Sequence, residues 1–105
     1  MMVSDEEEQI VSNVLSGFIT AIVSLKVSTE KIDDVAKNLK DYVNVEDLFL
    51  VTGDTDIIMK VKFLNYKDLK EFIVDKVGRM EGVQDTSTMI VVASYKEKGI
   101  LITEK

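Results

Sequence analysis

"LKVSTEKIDDVAKNLKDYVNVEDLFLV" (residues 25–51) and "MKVKFLNYKDLKEFIVDKVGRMEGVQDTSTMIVV" (residues 59–92) follow one plan twice. Each opens on a Lys-Val strand end and runs into a Lys-rich amphipathic helix. Each leaves the helix through Asn-Val or Gly-Val and finishes as a strand. In the first copy Ile32, Val35, Ala36, Leu39 and Val43 recur at the spacing of a helix with one buried face. Ser28 or Thr29 caps it, and Asn44, a residue tolerant of the left-handed conformation, ends it. In the second copy Leu69, Phe72, Ile73, Val77 and Met80 form the stripe and Asn65 is the cap. Leu64 and Leu69 occupy hydrophobic-staple positions, and Gly82 is the stop.

The strands fall outward from these helices. Ile19–Val27 and Asp56–Phe63 alternate with period two, and Val45–Val51 and about Thr86 to Tyr95 read as the second and fourth strands. The order β-α-β-β-α-β predicts a ferredoxin-like α+β fold, a four-stranded antiparallel sheet with two helices on one face. Upstream, Ser4–Ser16 reads as a short helix. Ser4 and Glu7 make a capping box, Ile10, Val11, Val14 and Leu15 make a stripe, and Gly17 ends it. Downstream, "KEKG" (96–99) turns the chain and "ILIT" (100–103) adds a short C-terminal strand. The expected division is a helical extension over 1–17 and one domain over 18–105.

Composition narrows the function. The chain has 105 residues and a net charge of −6, with lysines scattered among acids, so it offers no basic surface for nucleic acid. It has no Cys and no His. That removes thiolate nucleophiles, the usual zinc ligands and the commonest acid–base group at neutral pH. The acidic "MMVSDEEEQ" start is unlike a signal peptide. The longest apolar stretch, Phe18 to Leu25, falls far short of the about 20 residues that span a membrane. A non-enzymatic protein of the cytoplasm is expected.

Helices on one face leave the other to be explained. Leu48 and Leu50 oppose Phe49 and Val51; Met89, Val91 and Ala93 oppose Ile90 and Val92. Both faces carry apolar residues, and the uncovered one predicts a homodimer packed sheet on sheet about a two-fold axis; the rival cover is the N-terminal helix, whose narrow stripe suits only part of the face.

Between the second and third strands lies "VTGDTDIIMKV" (51–61). Gly and Asp are favoured in hairpin turns for backbone reasons alone. The same turn lets a ligand approach Gly53 closely and offers N–H groups to an anion. Asp54 and Asp56 can accept from an ammonium, so a free amino acid suits it. A Ca²⁺ or Mg²⁺ ion needs more oxygens than this turn supplies, and no metal or other cofactor is expected. A second polar cluster, "DTSTMIV" (85–91), places Thr86 and Thr88 on one face of the last strand, where Thr is also simply a good strand former.

Together these motifs, V-x-x-x-x-x-V-T-G-D-x-D from Val45 and G-V-x-x-T-x-T from Gly82, resemble the RAM domain. This is the effector-binding part of the Lrp/AsnC transcription regulators, and the likeness runs from about Ile19 to Glu97. It implies a ferredoxin-like fold that dimerises through its sheets, with dimers joining into tetramers of dimers. It also implies amino acid effectors held near the junctions between dimers. Carried over position by position, the ligand-binding residues are Thr52, Gly53, Asp54, Asp56, Thr86 and Thr88, with Ser87 between the last two. Full-length members begin with a helix-turn-helix domain. Here only about eighteen residues, with an acidic start, precede the first strand, which implies the stand-alone form, without direct DNA contact and acting through full-length relatives.

Two other readings compete. One is a ligand-free interaction module that dimerises by its sheet and binds a partner through the N-terminal helix. The other is a small dimeric ferredoxin-like enzyme using carboxylates and Tyr42, Tyr66 or Tyr95.

Overall fold

β1 (Ile19–Val27) lies inside a four-stranded antiparallel sheet of order β2-β3-β1-β4, with β2 at Val45–Leu50, β3 at Ile57–Phe63 and β4 at Val83–Ile90. The computed structural model describes residues 17–102, so the helix expected over Ser4–Ser16 lies outside the described residues. The connections carry a helix after β1 and another after β3, which is the expected ferredoxin-like order.

Pairing partners share a face of the sheet, so register fixes which side chains the helices meet. Leu25 pairs with Ile57 and Thr86, Val23 with Met59 and Thr88, and Ala21 with Val61 and Ile90. Ala21, Val23, Leu25, Ile57, Met59 and Val61 are wholly buried, and they pack with Val35, Leu39, Leu69, Phe72 and Val77 of the helices. This face of the two inner strands is the core.

After β1 the chain takes one tight turn (Thr29–Lys31) before α1 (Ile32–Leu39). Val35 and Leu39, four apart, point to the sheet. The helix stops sooner than the apolar spacing predicts, and Val43 stands almost fully exposed. Asn44 does not adopt the left-handed conformation. Its main chain accepts from Lys62 N–H at 2.9 Å and its side-chain amide donates to the Lys62 carbonyl at 2.8 Å. It closes the helix by pinning the chain to β3.

α2 (Tyr66–Glu71) starts as expected: Asn65 Oδ1 accepts from Asp68 N–H at 2.8 Å. Leu64 remains exposed beside the buried Leu69, so the staple is not made. Over Phe72–Val77 the helix widens to π turns, with Gly78 N–H donating to the Ile73 carbonyl at 2.8 Å. The wider turn lets Phe72 and Val77, five apart in sequence, both face the core.

β4 begins at Val83 and ends at Ile90, short of the expected Tyr95. The segment "ILIT" does not extend the main sheet. Its Ile100–Leu101 pairs with Lys96–Glu97 as a separate small hairpin, β5 (Lys96–Glu97) and β6 (Ile100–Leu101).

The other sheet face carries two kinds of row. Phe49 lies beside Ile58, Ser24 and Ser87; Asp47 lies beside Lys60, Ile22 and Met89. Phe49 and Met89 are 56 % and 59 % exposed. Towards the far end Glu46 bridges Lys60 and Lys62 at 3.5 and 3.3 Å, and Glu97 of the small hairpin comes within 3.7 Å of Lys60. The apolar surface expected across this face is therefore shared with an ion-pair cluster.

Candidate functional site

β2 and β3 close on each other at Val51, whose N–H donates to the Asp56 carbonyl at 2.9 Å. Thr52, Gly53, Asp54 and Thr55 are the loop beyond. Gly53 sits at φ +124°, with open space where a Cβ would be. The conformation requires glycine; the surroundings do not.

Four groups of residues 54–56 are fastened to the end of β1. Asp56 N–H and Thr55 Oγ1 both donate to the Leu25 carbonyl, each at 2.9 Å. Asp56 Oδ2 accepts from Val27 N–H at 2.8 Å. Lys26 Nζ donates to the Asp54 carbonyl at 3.1 Å. Lys26 and Val27 are where the β1–β4 register slips, a β-bulge. The turn is thus seated on the bulge.

What remains unengaged is chemically coherent. Among the described residues, the N–H groups of Thr52, Gly53, Asp54 and Thr55 donate to nothing. The Asp54 carboxylate accepts no hydrogen bond and pairs with no cation among them. Thr52, Gly53 and Asp54 are all exposed. A run of free N–H groups attracts an anion, and the carboxylate beside it attracts a cation.

The second cluster sits across β1. Thr86 pairs with Leu25, Ser87 with Ser24 and Thr88 with Val23. Thr86 and Thr88 therefore share the helix-bearing face, at an edge strand where Thr88 and Ile90 stay exposed, while Ser87 points to the opposite face. Leu25 touches both clusters, since it pairs with Thr86 and accepts from the turn. The structure brings the turn and Thr86 to the two sides of one strand end and leaves Ser87 apart from them.

Sequence reasoning missed Thr55, Lys26 and Val27. Thr55 was visible beside the aspartates as a residue able to bond backbone. The roles of Lys26 and Val27 depend on pairing register, which no local pattern reveals. Two clefts among the described residues lie elsewhere. One cleft of about 460 Å³ is lined by Tyr42, Asn44, Phe63 and Phe72 with Asp68 and Glu71; another of about 200 Å³ lies by Lys31, Asn38 and Met80. No predicted site residue lines either. Among the described residues no group of three or more His, Cys, Asp or Glu can hold a metal ion, and no helix is long and apolar enough to cross a membrane.

This pairing of a glycine-aspartate turn with a threonine edge, on a ferredoxin-like frame, can be set beside known proteins. Residues 20–101 match the family described as the Lrp/AsnC ligand binding domain. The chain belongs to the Lrp/AsnC ligand-binding domain family. It is 38 % identical over 79 residues to the HTH-type transcriptional regulator FL11 of Pyrococcus furiosus, covering 75 % of this chain and 52 % of that protein. Among solved structures, FFRP-DM1 is 34 % identical with a TM-score of 0.69, covering 70 % of this chain and 99 % of that one. A transcriptional regulator from Neisseria meningitidis, solved as a complex with L-Met, is 19 % identical with a TM-score of 0.74, over 96 % of this chain and 63 % of that one. It shows the fold alone. The chain spans about half the length of the curated relatives it matches. As a RAM domain it is the small ligand-binding part of a group whose full members are transcriptional regulators.

Proposed function

We propose that this RAM domain is a non-catalytic sensor of a free amino acid. The observation that carries the reading is the set of unengaged N–H groups at 52–55 beside the free Asp54 carboxylate. The N–H groups receive an α-carboxylate and Asp54 receives the α-ammonium, so each charge of a zwitterion meets a complementary group of the same turn. Thr52, Gly53 and Asp54 form the turn half of the site, and Asp56 joins that turn to β1. Thr86 and Thr88 form the strand half; Ser87, on the opposite face, stands outside it.

The turn is exposed and shallow in one copy, and ligand sites are normally concave. Walls from a second copy complete it. A homodimer forms through the open sheet face, where Phe49, Ile58, Ile22 and Met89 are the apolar contact, and dimers join as a tetramer of dimers. The L-Met complex of the Neisseria meningitidis regulator supports an amino acid as effector class. The domain over 18–105 then modulates full-length Lrp/AsnC regulators in the cytoplasm by entering mixed assemblies, with residues 1–17 as an extension.

A thermal-unfolding screen against the twenty amino acids at millimolar concentration tests this, with light scattering for assembly state. A ligand at about a hundred times its dissociation constant stabilises by roughly 2.7 kcal/mol, which moves the midpoint of a domain this size by many degrees. A selective rise with one or a few amino acids is expected. No rise with any of them, on a particle shown to be oligomeric, would leave the ligand-free interaction module as the better account.

A further inference from the structure

We infer that Asp56 does not contact the effector but positions the turn that does, by clamping it to the end of β1. This rests on the amino acid-sensing reading of the turn and assigns different work to its two aspartates. They stand two apart and look equivalent in sequence, yet their surroundings differ. The Asp54 side chain is exposed and accepts nothing among the described residues. Asp56 is half-buried, and its Oδ2 already accepts from Val27 N–H at 2.8 Å.

Val27 N–H would otherwise lack a partner. At the bulge β1 slips its register, Lys26 facing Asp85 and Val27 facing Val83. On the β3 side the ladder ends at Leu25 and Ile57, and the Asp56 carboxylate takes the place of the missing strand acceptor. The Asp56 N–H, donating to the Leu25 carbonyl, adds a second point of attachment on the same strand. Lys26 Nζ on the Asp54 carbonyl adds a third, and orients the peptide that follows Asp54. The same bulge begins the stretch of β4 that carries Thr86 and Thr88. One carboxylate therefore holds the turn to the strand end from which the threonines are registered. This gives preorganised N–H donors without a loop to freeze on binding.

The roles predict opposite responses to removal of charge. An Asn at 56 still accepts through its amide oxygen, so a clamp survives. An ammonium-binding carboxylate does not survive the same change. The experiment compares Asp56→Asn, Asp56→Ala and Asp54→Asn in the whole chain. It reads amide hydrogen exchange at Val27 and thermal shifts with each of the twenty amino acids. Expected is Val27 protection within about threefold of the parent in Asp56→Asn and lowered about tenfold or more in Asp56→Ala. The amino acid shift should be kept in Asp56→Asn, lost in Asp56→Ala, and lost in Asp54→Asn with Val27 protection unchanged. Loss of the shift in Asp56→Asn with Val27 protection intact would make Asp56 a ligand contact and overturn the inference. Unchanged Val27 protection in Asp56→Ala would overturn it equally. Should no amino acid shift the parent protein, the sensing reading fails, and Val27 exchange alone still decides whether Asp56 is the clamp.

Discussion

Gly53 and Gly82 each precede an acidic and threonine-bearing segment, and both have positive φ, +124° and +100°. They are held for different reasons. A Cβ on Gly53 would meet open space. A Cβ on Gly82 would run into Lys31 Cβ and Cγ, with Val27 Cγ1 3.7 Å away. Gly82 also accepts through its carbonyl from Ser28 N–H at 2.8 Å, so the exits of β1 and α2 cross there backbone to backbone. The Gly82 crossing is a packing joint. The Gly53 turn stands clear of the body and is held only by the bonds that Thr55, Asp56 and the Asp54 carbonyl make to β1. An exposed turn with no packing role, seated on a rigid strand end, is the kind of place where binding residues sit.

Gly82→Ala presses hardest on this difference. It imposes a backbone conformation that L side chains rarely adopt and forces Lys31 aside. Backbone strain and overpacking together should cost about 3 kcal/mol or more. Against the 5–15 kcal/mol typical of whole domains, urea unfolding should show a large fall in midpoint. A loss under about 1 kcal/mol would mean the crossing relaxes freely and is no joint.

Gly53→Ala comes next. It carries the backbone strain without the collision, about 1–2 kcal/mol. Its informative effect is on the turn: any amino acid-induced stabilisation should fall more than stability does, because the N–H groups of Thr52 to Thr55 turn with φ of residue 53. Equal small losses in both would place the ligand elsewhere.

Much of this contrast was out of reach of the sequence, though the frame was not. The repeated strand–helix–strand plan showed through because Val35/Leu39 and Ile57/Met59/Val61 keep the helical and strand periods their burial requires. The helix ends were harder to read. Val43 continues the stripe numerically, yet the chain turns away at Lys40 so that Asn44 can bond Lys62. The π turns at Phe72–Val77 make a five-residue spacing serve a core that an α-helix would serve with three or four. At the site, Gly53 and the threonines were legible as types in a pattern. The separate work of Asp54 and Asp56 was not, because it depends on where the β1–β3 pairing ends, across about thirty residues of chain.

The smallest expected effect on folding belongs to Asp54→Ala, and for that reason it discriminates best. The side chain is exposed and unengaged among the described residues, and surface changes away from special features stay within about 0.5 kcal/mol. The Asp54 carbonyl still accepts from Lys26, so the turn keeps its seat. Denaturant midpoints of the variant and the parent should therefore coincide within error. If the turn binds a zwitterion, the variant nonetheless loses the partner of the ammonium, and amino acid-dependent stabilisation should fall at least tenfold in apparent affinity. A folding-neutral residue whose removal abolishes a ligand response is what separates a binding turn from a joint such as Gly82. Were the response to persist, the ammonium would have to be met by a group from another copy, and the site would move from the turn to the interface.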